Sequence, residues 1–324
     1  MLKIGMISGW HVHARGYAED LQSREDVEIS VIWDEDPQRG EEWAKDLGVD
    51  YEPKLKKMLK KYDLDGVVVN APTNRHPEVI VKAAKAGKHI FTEKVMALTV
   101  KECQKIVDAV ETAGVKFCIS FPFRTRPSTL FAKKMVDNDE LGDISLIRVR
   151  NAHDGASSDW LPEHFYDKEQ CGGGAMMDLG AHGMYLIRWF LDNPGKITSA
   201  FTNLTGHEVE DNAVSMIEFE NQAVAINETG FVTPGSPFSL EIHGTEGTLF
   251  IGGDRGGVRY NTQDTDGWVT VEDLPEPLPE PICQWVDALQ GKGEIRYDLE
   301  DGIQLTELME NAYKSNRKDK HIKF

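Results

Sequence analysis

The sequence predicts an α/β protein in which an N-terminal doubly wound parallel sheet is followed by an α+β domain with a large, open-faced, mostly antiparallel sheet. Two observations support this prediction. Up to about residue 120, short runs of branched apolar residues alternate with stretches of helical period, which is the pattern of βαβ units. Beyond residue 121, strand-like runs follow one another with only turn residues between them, as in antiparallel sheets.

Five strands are predicted in the first half, each close to a candidate helix. They span residues 3–8, 27–33, 64–69, 89–92 and 115–120. The helices at 78–86 and 99–113 space their apolar residues three and four apart, and each is followed by a glycine that can end it. This alternation predicts a dinucleotide-binding type of domain over residues 1–122.

The second half is predicted to be richer in strands than in helices. The strands span residues 144–150, 197–204, 213–219, 223–231, 238–243 and 248–251. One helix interrupts them at 174–192, and two more follow at 281–289 and 299–313. We therefore expect a substrate-binding and oligomerisation domain over residues 123–324, whose last helices, at about 281–315, pack back toward the first domain.

The composition excludes several classes of protein. The 324 residues include 36 Lys and Arg against 54 Asp and Glu, which gives a formal charge of −18. An acidic chain without a dense basic block argues against binding to nucleic acid or to an anionic membrane surface. Cys103, Cys118, Cys171 and Cys283 lie far apart, so we expect neither disulfides nor structural zinc. With no secretory or membrane-spanning pattern, a cytoplasmic location is predicted.

Candidate cofactor residues follow the first two strands, where a doubly wound sheet binds its ligand. The first turn is formed by Ser8, Gly9, Trp10, His11, Val12 and His13. It lacks the GxGxxG fingerprint, although its backbone N–H groups could still hold a phosphate. Asp34, at the end of the second strand, could accept hydrogen bonds from ribose hydroxyls and would repel a 2′-phosphate, which predicts NAD rather than NADP. A solvated acidic turn that caps the next helix is the alternative.

The pair His11 and His13 leaves a second interpretation open. Two histidines separated by one residue after a first strand can share a metal ion, as in barrel hydrolases. Such barrels continue for eight βα units, whereas the alternation here stops near residue 120. We therefore predict no metal site, and the simpler role for His13 is that of a helix-start residue near phosphate.

Three further motifs carry a family resemblance. They are Pro72-Thr73-Asn74-Arg75-His76, the strand that ends in Glu93-Lys94, and Gly172-Gly173-Gly174 followed by Asp178 and His182. Together they resemble the glucose-fructose oxidoreductase, inositol dehydrogenase and rhizopine catabolism (Gfo/Idh/MocA) family. The resemblance spans essentially the whole chain. It departs at the glycine fingerprint and at Val95, where the family has proline after Glu-Lys.

The resemblance implies a Rossmann domain and an NAD(P)-dependent oxidoreductase that moves a hydride between a nicotinamide and a hydroxyl of a sugar, inositol or related polyol. His182 would be the general acid and base, Asp178 would orient it, and Lys94 would hydrogen-bond the reacting oxygen. As i and i+4 on a helix, Asp178 and His182 would share one face. The implied cofactor-binding residues are Ser8, Gly9, Trp10, His11, Val12, His13, Asp34, Ala71, Pro72, Thr73, Asn74, His76, Glu93, Lys94 and Arg124.

The substrate pocket is expected between the Lys94 loop, the helix that starts near Gly174 and the sheet edge. Its predicted liners are His153, Asp154, Trp160 and Tyr166, together with Lys94, Asp178 and His182. Aromatic rings beside hydrogen-bonding groups suit a polyol ring, which has apolar C–H faces and a rim of hydroxyls. The sequence does not distinguish inositol, aldose, amino sugar or glycoside.

Two other functions and one assembly remain open. Some members of the resembled family use bound NAD transiently to cleave a glycosidic bond, and the same fold serves non-catalytic regulators that sense a dinucleotide or a sugar. The strand 213–219 has Ile217 and Phe219 on one side and Val214 and Met216 on the other, so both sides need cover. A homodimer or homotetramer through the C-terminal sheet is therefore expected.

Overall fold

The computed structural model describes all 324 residues and divides them into two compact units. The first unit comprises Met1–Ser120 with Pro279–Thr306, and the second comprises Phe121–Leu278 with Glu307–Phe324. The chain therefore first passes from one unit to the other between residues 120 and 121, which is two residues before the domain boundary predicted from the sequence.

The first unit contains a six-stranded parallel sheet in the order β3-β2-β1-β4-β5-β6. Its strands are β1 (Leu2–Ile7), β2 (Val27–Trp33), β3 (Asp50–Tyr51), β4 (Gly66–Val69), β5 (His89–Thr92) and β6 (Phe117–Ile119). The strand order reverses between β1 and β4, which makes the carboxyl ends of these two strands the ligand-binding edge of such a sheet. The predicted doubly wound parallel sheet is confirmed.

Six helices accompany this sheet, and the capping residues of α2 show how the sequence sets where a helix begins and ends. They are α1 (Ala14–Gln22), α2 (Pro37–Leu47), α3 (Leu55–Lys61), α4 (His76–Lys85), α5 (Val100–Ala113) and α9 (Pro281–Leu289). Asp36 caps α2 by accepting hydrogen bonds from the N–H groups of Gln38 and Arg39, and Gly48 ends it with a φ of 69°. No helix of the chain combines the length and the apolar character needed to cross a bilayer.

The core of the first unit depends on a segment from late in the chain. Trp285 of α9 is fully buried, with its ring centroid 6.0 Å from that of Phe91. A Cβ at Gly66 would lie 2.7 Å from the Trp285 ring, so β4 begins with the one residue that leaves room for this side chain. Ile282 and Val286 join the same cluster.

The second unit contains a nine-stranded sheet in the order β14-β13-β12-β11-β7-β10-β9-β8-β15. Its strands are β7 (Ile144–Ala152), β8 (Pro194–Thr202), β9 (Asn212–Phe219), β10 (Val224–Gly230), β11 (Ser239–Gly244), β12 (Gly247–Gly252), β13 (Val258–Thr262), β14 (Val269–Thr270) and β15 (Ile322–Lys323). All neighbours pair antiparallel except β7 and β10, which run parallel. The prediction of a large, mostly antiparallel sheet is confirmed.

One predicted helix of the second unit differs from the structure. In place of a single helix over residues 174–192, a π-helical turn over Met176–Gly180 leads into α8 (Ala181–Phe190). The other helices are α6 (Pro127–Asp137), α7 (Lys168–Cys171) and α10 (Leu299–Lys318), and the division between the two units falls within α10 at Thr306.

Candidate active site

The turn between β1 and α1 fixes its backbone with hydrogen bonds inside the chain. Ser8 has a φ of 69°, and a Cβ at Gly9 would approach the Trp43 ring to 3.0 Å. Five of the six N–H groups from residue 8 to residue 13 donate to acceptors of the chain: Ser8 to the Trp33 carbonyl, Gly9 to Asp34 Oδ2, Trp10 to Ser8 Oγ, His11 to the Asn70 carbonyl and His13 to His11 Nδ1. Most of the amides expected to meet a phosphate are therefore already engaged.

Asp34, at the end of β2, is paired with an arginine that the sequence analysis missed. The Asp34 side chain is fully buried, and its Oδ1 and Oδ2 accept hydrogen bonds from Arg39 Nη2 at 2.6 Å and Arg39 Nε at 2.9 Å. Arg39 Nη2 also donates to Glu35 Oε1 at 2.6 Å. Burial alone would lower the pKa of the Arg39 guanidinium, but its bonds to Asp34 and the nearby carboxylates raise it overall. Asp34, the carboxylate that we expected to bind ribose, is thus already paired with a positive charge of the same unit, that of Arg39.

The carboxyl end of β4 presents amide groups that have no protein partner. Asn70 is fully buried, and neither its Oδ1 nor its Nδ2 is hydrogen-bonded; Asn74 Oδ1 is likewise buried without a partner. A buried amide left unpaired costs free energy, so such groups normally mark a ligand or a bound water. Because β4 flanks the reversal of strand order, Asn70 lies where a dinucleotide crosses such a sheet.

Glu93, directly after β5, is the centre of a buried network. The carboxylate is 1% exposed, and its Oε1 lies 2.8 Å from His13 Nδ1 and accepts a hydrogen bond from the Tyr17 hydroxyl. Burial by itself would raise the pKa of Glu93, but the charges of His11, His13 and Lys94 and the hydrogen bond from His13 hold that pKa well below its usual range. The two histidines thus pair with a carboxylate in a doubly wound sheet, not in a barrel.

Lys94 follows Glu93 in a segment that is itself tightly held. Lys94 is 4% exposed, and its peptide bond to Val95 is cis. His76 is 1% exposed, with Nδ1 2.9 Å from the Val95 carbonyl oxygen and Nε2 2.9 Å from the Ala71 carbonyl oxygen. His76, predicted to bind the cofactor, therefore connects the exit of β4 to the Lys94 segment.

In the second unit, close packing accounts for two of the three consecutive glycines. A Cβ at Gly173 would lie 1.8 Å from the Tyr313 hydroxyl oxygen, and one at Gly174 would lie 2.0 Å from the Glu210 carbonyl oxygen. The Glu210 carboxylate accepts hydrogen bonds from the Gly174 N–H at 2.9 Å, the Met176 N–H at 3.1 Å and the Tyr313 hydroxyl at 2.5 Å. Glu210 and Tyr313, which the sequence analysis missed, thus fix the segment that leads to Asp178 and His182.

His182 is held by rings on two sides. It is 6% exposed, its ring stacks on Phe123 with centroids 4.6 Å apart, and its Nδ1 lies 2.9 Å from the Tyr185 hydroxyl. Asp178 lies in the π-helical turn, where the spacing of side chains differs from that of an α-helix. The orienting role of Asp178 toward His182 stays a prediction.

Three of the predicted substrate-binding residues form one cluster. His153 stacks on Phe231 with centroids 5.0 Å apart and lies against the Trp160 ring at 4.6 Å. Trp160 is 54% exposed and donates from Nε1 to Asp154 Oδ1 at 3.0 Å. Burial lowers the pKa of His153 overall, although the charges of Asp178 and Asp154 oppose the change. His153, His182 and Asp178 are thus three titratable side chains of the second unit.

Two predicted binding residues are buried by packing within the second unit. Tyr166 is 5% exposed and stacks on His207 with ring centroids 3.6 Å apart. Arg124 is 6% exposed, donates from Nη2 to the Tyr185 carbonyl at 2.8 Å and lies over the Phe121 ring. These contacts give both side chains a structural role, and their ligand contacts stay predictions.

Comparison with known proteins places both parts of the chain in one family. Residues 2–121 match the oxidoreductase family with an NAD-binding Rossmann fold, and residues 129–250 match the GFO/IDH/MocA C-terminal domain. The chain is 24% identical to 1,5-anhydro-D-fructose reductase of Ensifer adhaerens, over 85% of each protein. It is 28% identical to scyllo-inositol 2-dehydrogenase (NAD(+)) of Bacillus subtilis, over 66% of this chain and 63% of that protein.

A solved structure with the same fold covers nearly the whole chain. Levoglucosan dehydrogenase in complex with NADH and L-sorbose superposes with a TM-score of 0.85 at 23% identity, over 99% of this chain and 98% of that one. At this identity the likeness shows the fold. Taken with the two family matches, it leads to one conclusion: the chain belongs to the GFO/IDH/MocA family of NAD(P)-dependent oxidoreductases.

Proposed function

We propose that the protein is an NAD-dependent dehydrogenase that acts on a secondary hydroxyl of a sugar, inositol or related polyol. The observation that supports it best is Asn70, whose buried amide has no protein partner at the edge where strand order reverses. A dinucleotide bound at this edge would satisfy that amide. The residues present therefore fit the cofactor that the family implies.

The choice of NAD over NADP rests on charge at the end of β2. Asp34 and Glu35 both pair with the Arg39 guanidinium, and a third carboxylate, Asp36, follows them in the chain and caps α2. The local charge stays negative even with the ion pairs formed, and it disfavours a 2′-phosphate. Arg39, whose side chain is 30% exposed, would offer hydrogen-bond donors to the adenosine ribose hydroxyls, whereas the buried Asp34, whose oxygens already accept from Arg39 and Gly9, would contribute its charge.

The roles of the remaining residues follow from their chemistry. The nicotinamide, when bound, supplies the hydride acceptor. Lys94 would donate a hydrogen bond to the reacting oxygen and stabilise negative charge that develops there. His182 would take the hydroxyl proton during oxidation and return it during reduction, since an imidazole titrates near neutral pH. Asp178 would favour the protonated form of that imidazole.

The substrate class is inferred from relatives and from the aromatic cluster. The names of the relatives include 1,5-anhydro-D-fructose, scyllo-inositol and levoglucosan. All three are ring compounds that carry several oxygen functions. The exposed Trp160 indole and the His153 ring would cover the apolar C–H face of such a ring, while Asp154 would accept hydrogen bonds from hydroxyls.

The proposal is tested by cofactor titration followed by turnover. We expect calorimetry to give tighter binding for NAD than for NADP, and absorbance of NADH to report oxidation of one member of a panel of inositols, aldoses and anhydrosugars. His182→Gln should lower kcat by roughly 10²- to 10⁴-fold with little change in NAD affinity. His321→Gln, at an exposed position, is the matched control.

Two outcomes would contradict the proposal. Absence of any dinucleotide binding would remove its basis. Tight binding of NAD with bond cleavage but no net NADH would instead support an enzyme that uses redox chemistry transiently.

A further inference from the structure

We propose that Glu35 sets the preference for NAD over NADP, because it occupies the Arg39 guanidinium that would otherwise receive a 2′-phosphate. The inference rests on the proposed function, since it concerns the cofactor of the same site. The choice between the two cofactors would thus lie with Glu35 and not with Asp34, the acid to which the sequence assigned it.

The Asp34 carboxylate is fully engaged within the first unit. Its side chain is 0% exposed. Oδ1 accepts hydrogen bonds from the Asp36 N–H at 2.8 Å and Arg39 Nη2 at 2.6 Å, and Oδ2 accepts from the Gly9 N–H at 2.8 Å and Arg39 Nε at 2.9 Å. A carboxylate has about four acceptor positions, and these four protein donors fill them. Asp34 therefore joins the β1–α1 turn, the start of α2 and Arg39.

Arg39 is the member of this cluster that can face a ligand. Its side chain is 30% exposed, and its side-chain hydrogen bonds leave from Nε and Nη2, to Asp34, Glu35 and Ser8. The N–H groups of Nη1 are therefore left as donors. A guanidinium matches the oxygens of a phosphate better than any other side chain does. Arg39 alone would thus favour a 2′-phosphate.

Glu35 opposes that tendency by direct contact. Its side chain is 13% exposed, and its Oε1 accepts hydrogen bonds from Arg39 Nη2 at 2.6 Å and from the Ser8 hydroxyl at 2.9 Å. With Asp34, two carboxylates then face one guanidinium, so negative charge is in excess. A neutral ribose hydroxyl can still accept from Nη1, whereas a 2′-phosphate would meet this excess at close range.

The other charges near the end of β2 do not supply the missing positive charge. Asp36, which caps α2, is a third carboxylate. Arg75 lies over the Trp33 ring, 5.7 Å from its centroid, and its own Nη2 is 3.7 Å from Glu78 Oε2. This second cation is therefore also paired with an acid.

Glu35 is the acid whose removal can release a guanidinium and leave the backbone as it is. Substitution of Asp34 would free the Gly9 and Asp36 N–H groups, and substitution of Asp36 would remove the cap of α2. Glu35 accepts only from two side chains, those of Arg39 and Ser8. Without it, the charges of Asp34 and Arg39 balance, and Nη2 gains a free donor for phosphate.

The experiment measures dissociation constants by calorimetry for NAD, NADP, ADP-ribose and the 2′-phosphate of ADP-ribose. The unmodified protein should bind NAD more tightly than NADP. In Glu35→Ser we expect the affinity for NADP to rise at least about tenfold, with little change for NAD, because a charge-assisted hydrogen bond to phosphate becomes available. Glu35→Gln loses the charge and keeps an acceptor, so its gain should be smaller. The two fragments without nicotinamide should show the same shifts.

Two further variants isolate the contact. Glu42→Gln makes the same change of charge at an exposed acid of α2 that contacts Gln38, and it should leave both affinities as they are. Glu35→Ser combined with Arg39→Gln should lose the gain for NADP, because the guanidinium is gone. The glutamine can still donate to Asp34, so the double variant should fold, which circular dichroism would verify.

The outcomes separate this inference from the proposed function. Unchanged affinity for NADP in both Glu35 variants, an equal gain in Glu42→Gln, or a gain that survives the loss of Arg39 would overturn the role of Glu35 and leave the dehydrogenase proposal standing. The expected shifts without turnover of any polyol would contradict the dehydrogenase and leave Glu35 in its role. Failure of the unmodified protein to bind any of the four ligands would overturn both.

Discussion

At the scale of single residues, Arg39 determines the chemistry at the end of β2. Asp34 is fully buried in its side chain, and Glu35 is 13% exposed, so two carboxylates lie side by side away from water. Burial and the neighbouring Asp34 raise the pKa of Glu35. Arg39 contacts both carboxylates, and its planar guanidinium matches the two oxygens of Asp34.

Removal of Arg39 should therefore destabilise the first unit. Arg39→Ala leaves buried carboxylate without its partner, and we expect the free energy of unfolding to fall by about 2–4 kcal/mol, as measured by urea denaturation. Arg39→Lys should recover only part of the loss, because an ammonium cannot make the two-pronged contact. Arg15→Ala, which breaks an exposed pair with Asp46, is the control and should cost less than about 1 kcal/mol. Equal losses for the two alanine variants would contradict this account.

The sequence revealed some of these residues and not their partners. Asp34 was found because acids at the end of a second strand have a known use, and Glu93 and Lys94 were found by resemblance. Arg39 and Tyr17 were missed as partners of Asp34 and Glu93, since a sequence contains no direct signal for which side chains meet across a sheet. Arg39 had one usable sign, its place in the first turn of the helix that follows Asp36.

At the scale of elements, the glycine-rich segment before α8 is shaped by Glu210. Three donors converge on its carboxylate, from Gly174, Met176 and Tyr313. Burial nonetheless raises the pKa of Glu210, and burial together with the adjacent Glu210 carboxylate raises the pKa of Tyr313 well above its usual value. These three hydrogen bonds thus hold the Glu210 carboxyl group at a position where burial disfavours its charged form.

A pH dependence of stability follows. The folded protein binds the Glu210 proton more tightly than the unfolded chain does, so this residue contributes stability that is lost as pH rises from about the ordinary value of 4.5 through the raised pKa. Glu210→Gln removes the titration, and we expect its unfolding free energy to fall less with pH than that of the unmodified protein. Chemical denaturation across this window measures the difference. Parallel curves for the two proteins would show that Glu210 is not the source.

The elements themselves were predicted unevenly. Strands β1, β2, β5 and β9 were located because branched apolar runs bounded by turn residues are a strong signal. A helix after the acidic turn at residues 34–36 was expected, but the bounds of α2 were not predicted, because its sequence contains many charged residues and few apolar ones. The strand β3 was not predicted, because two residues are too few to show an alternating pattern. The π-helical turn before α8 was not predicted either, because its apolar spacing is also that of an α-helix.

At the scale of the whole molecule, the nine-stranded sheet has a face suited to a second copy of the chain. Along β9 the side chains of Ala213, Ser215 and Ile217 are buried, whereas Val214 and Met216 are 40% and 38% exposed. Neighbouring strands on the sheet carry charged pairs, including Arg148 with Glu228. An apolar strip beside paired charges is a pattern that a two-fold related copy can match.

We expect the protein to form a homodimer or homotetramer through this face. Met216→Glu places a charge in the strip and should shift the mass measured by light scattering toward the monomer, because a buried unpaired charge weakens an interface strongly. Leu204→Glu, at an apolar loop position that is 72% exposed, should leave the mass unchanged. A monomeric unmodified protein would refute the expectation.

The buried Trp285 has a consequence for how the chain is made. Strands β1 to β6 are complete once residue 119 has left the ribosome, yet the tryptophan that packs beside Phe91 and against Gly66 lies more than 160 residues later. We therefore expect the apolar surface beside Phe91 and Gly66 to stay uncovered in the nascent chain until almost all of it has been synthesised. During that interval this surface would be accessible to chaperones and to other nascent chains, so we expect this unit to mature late even though its sequence comes first.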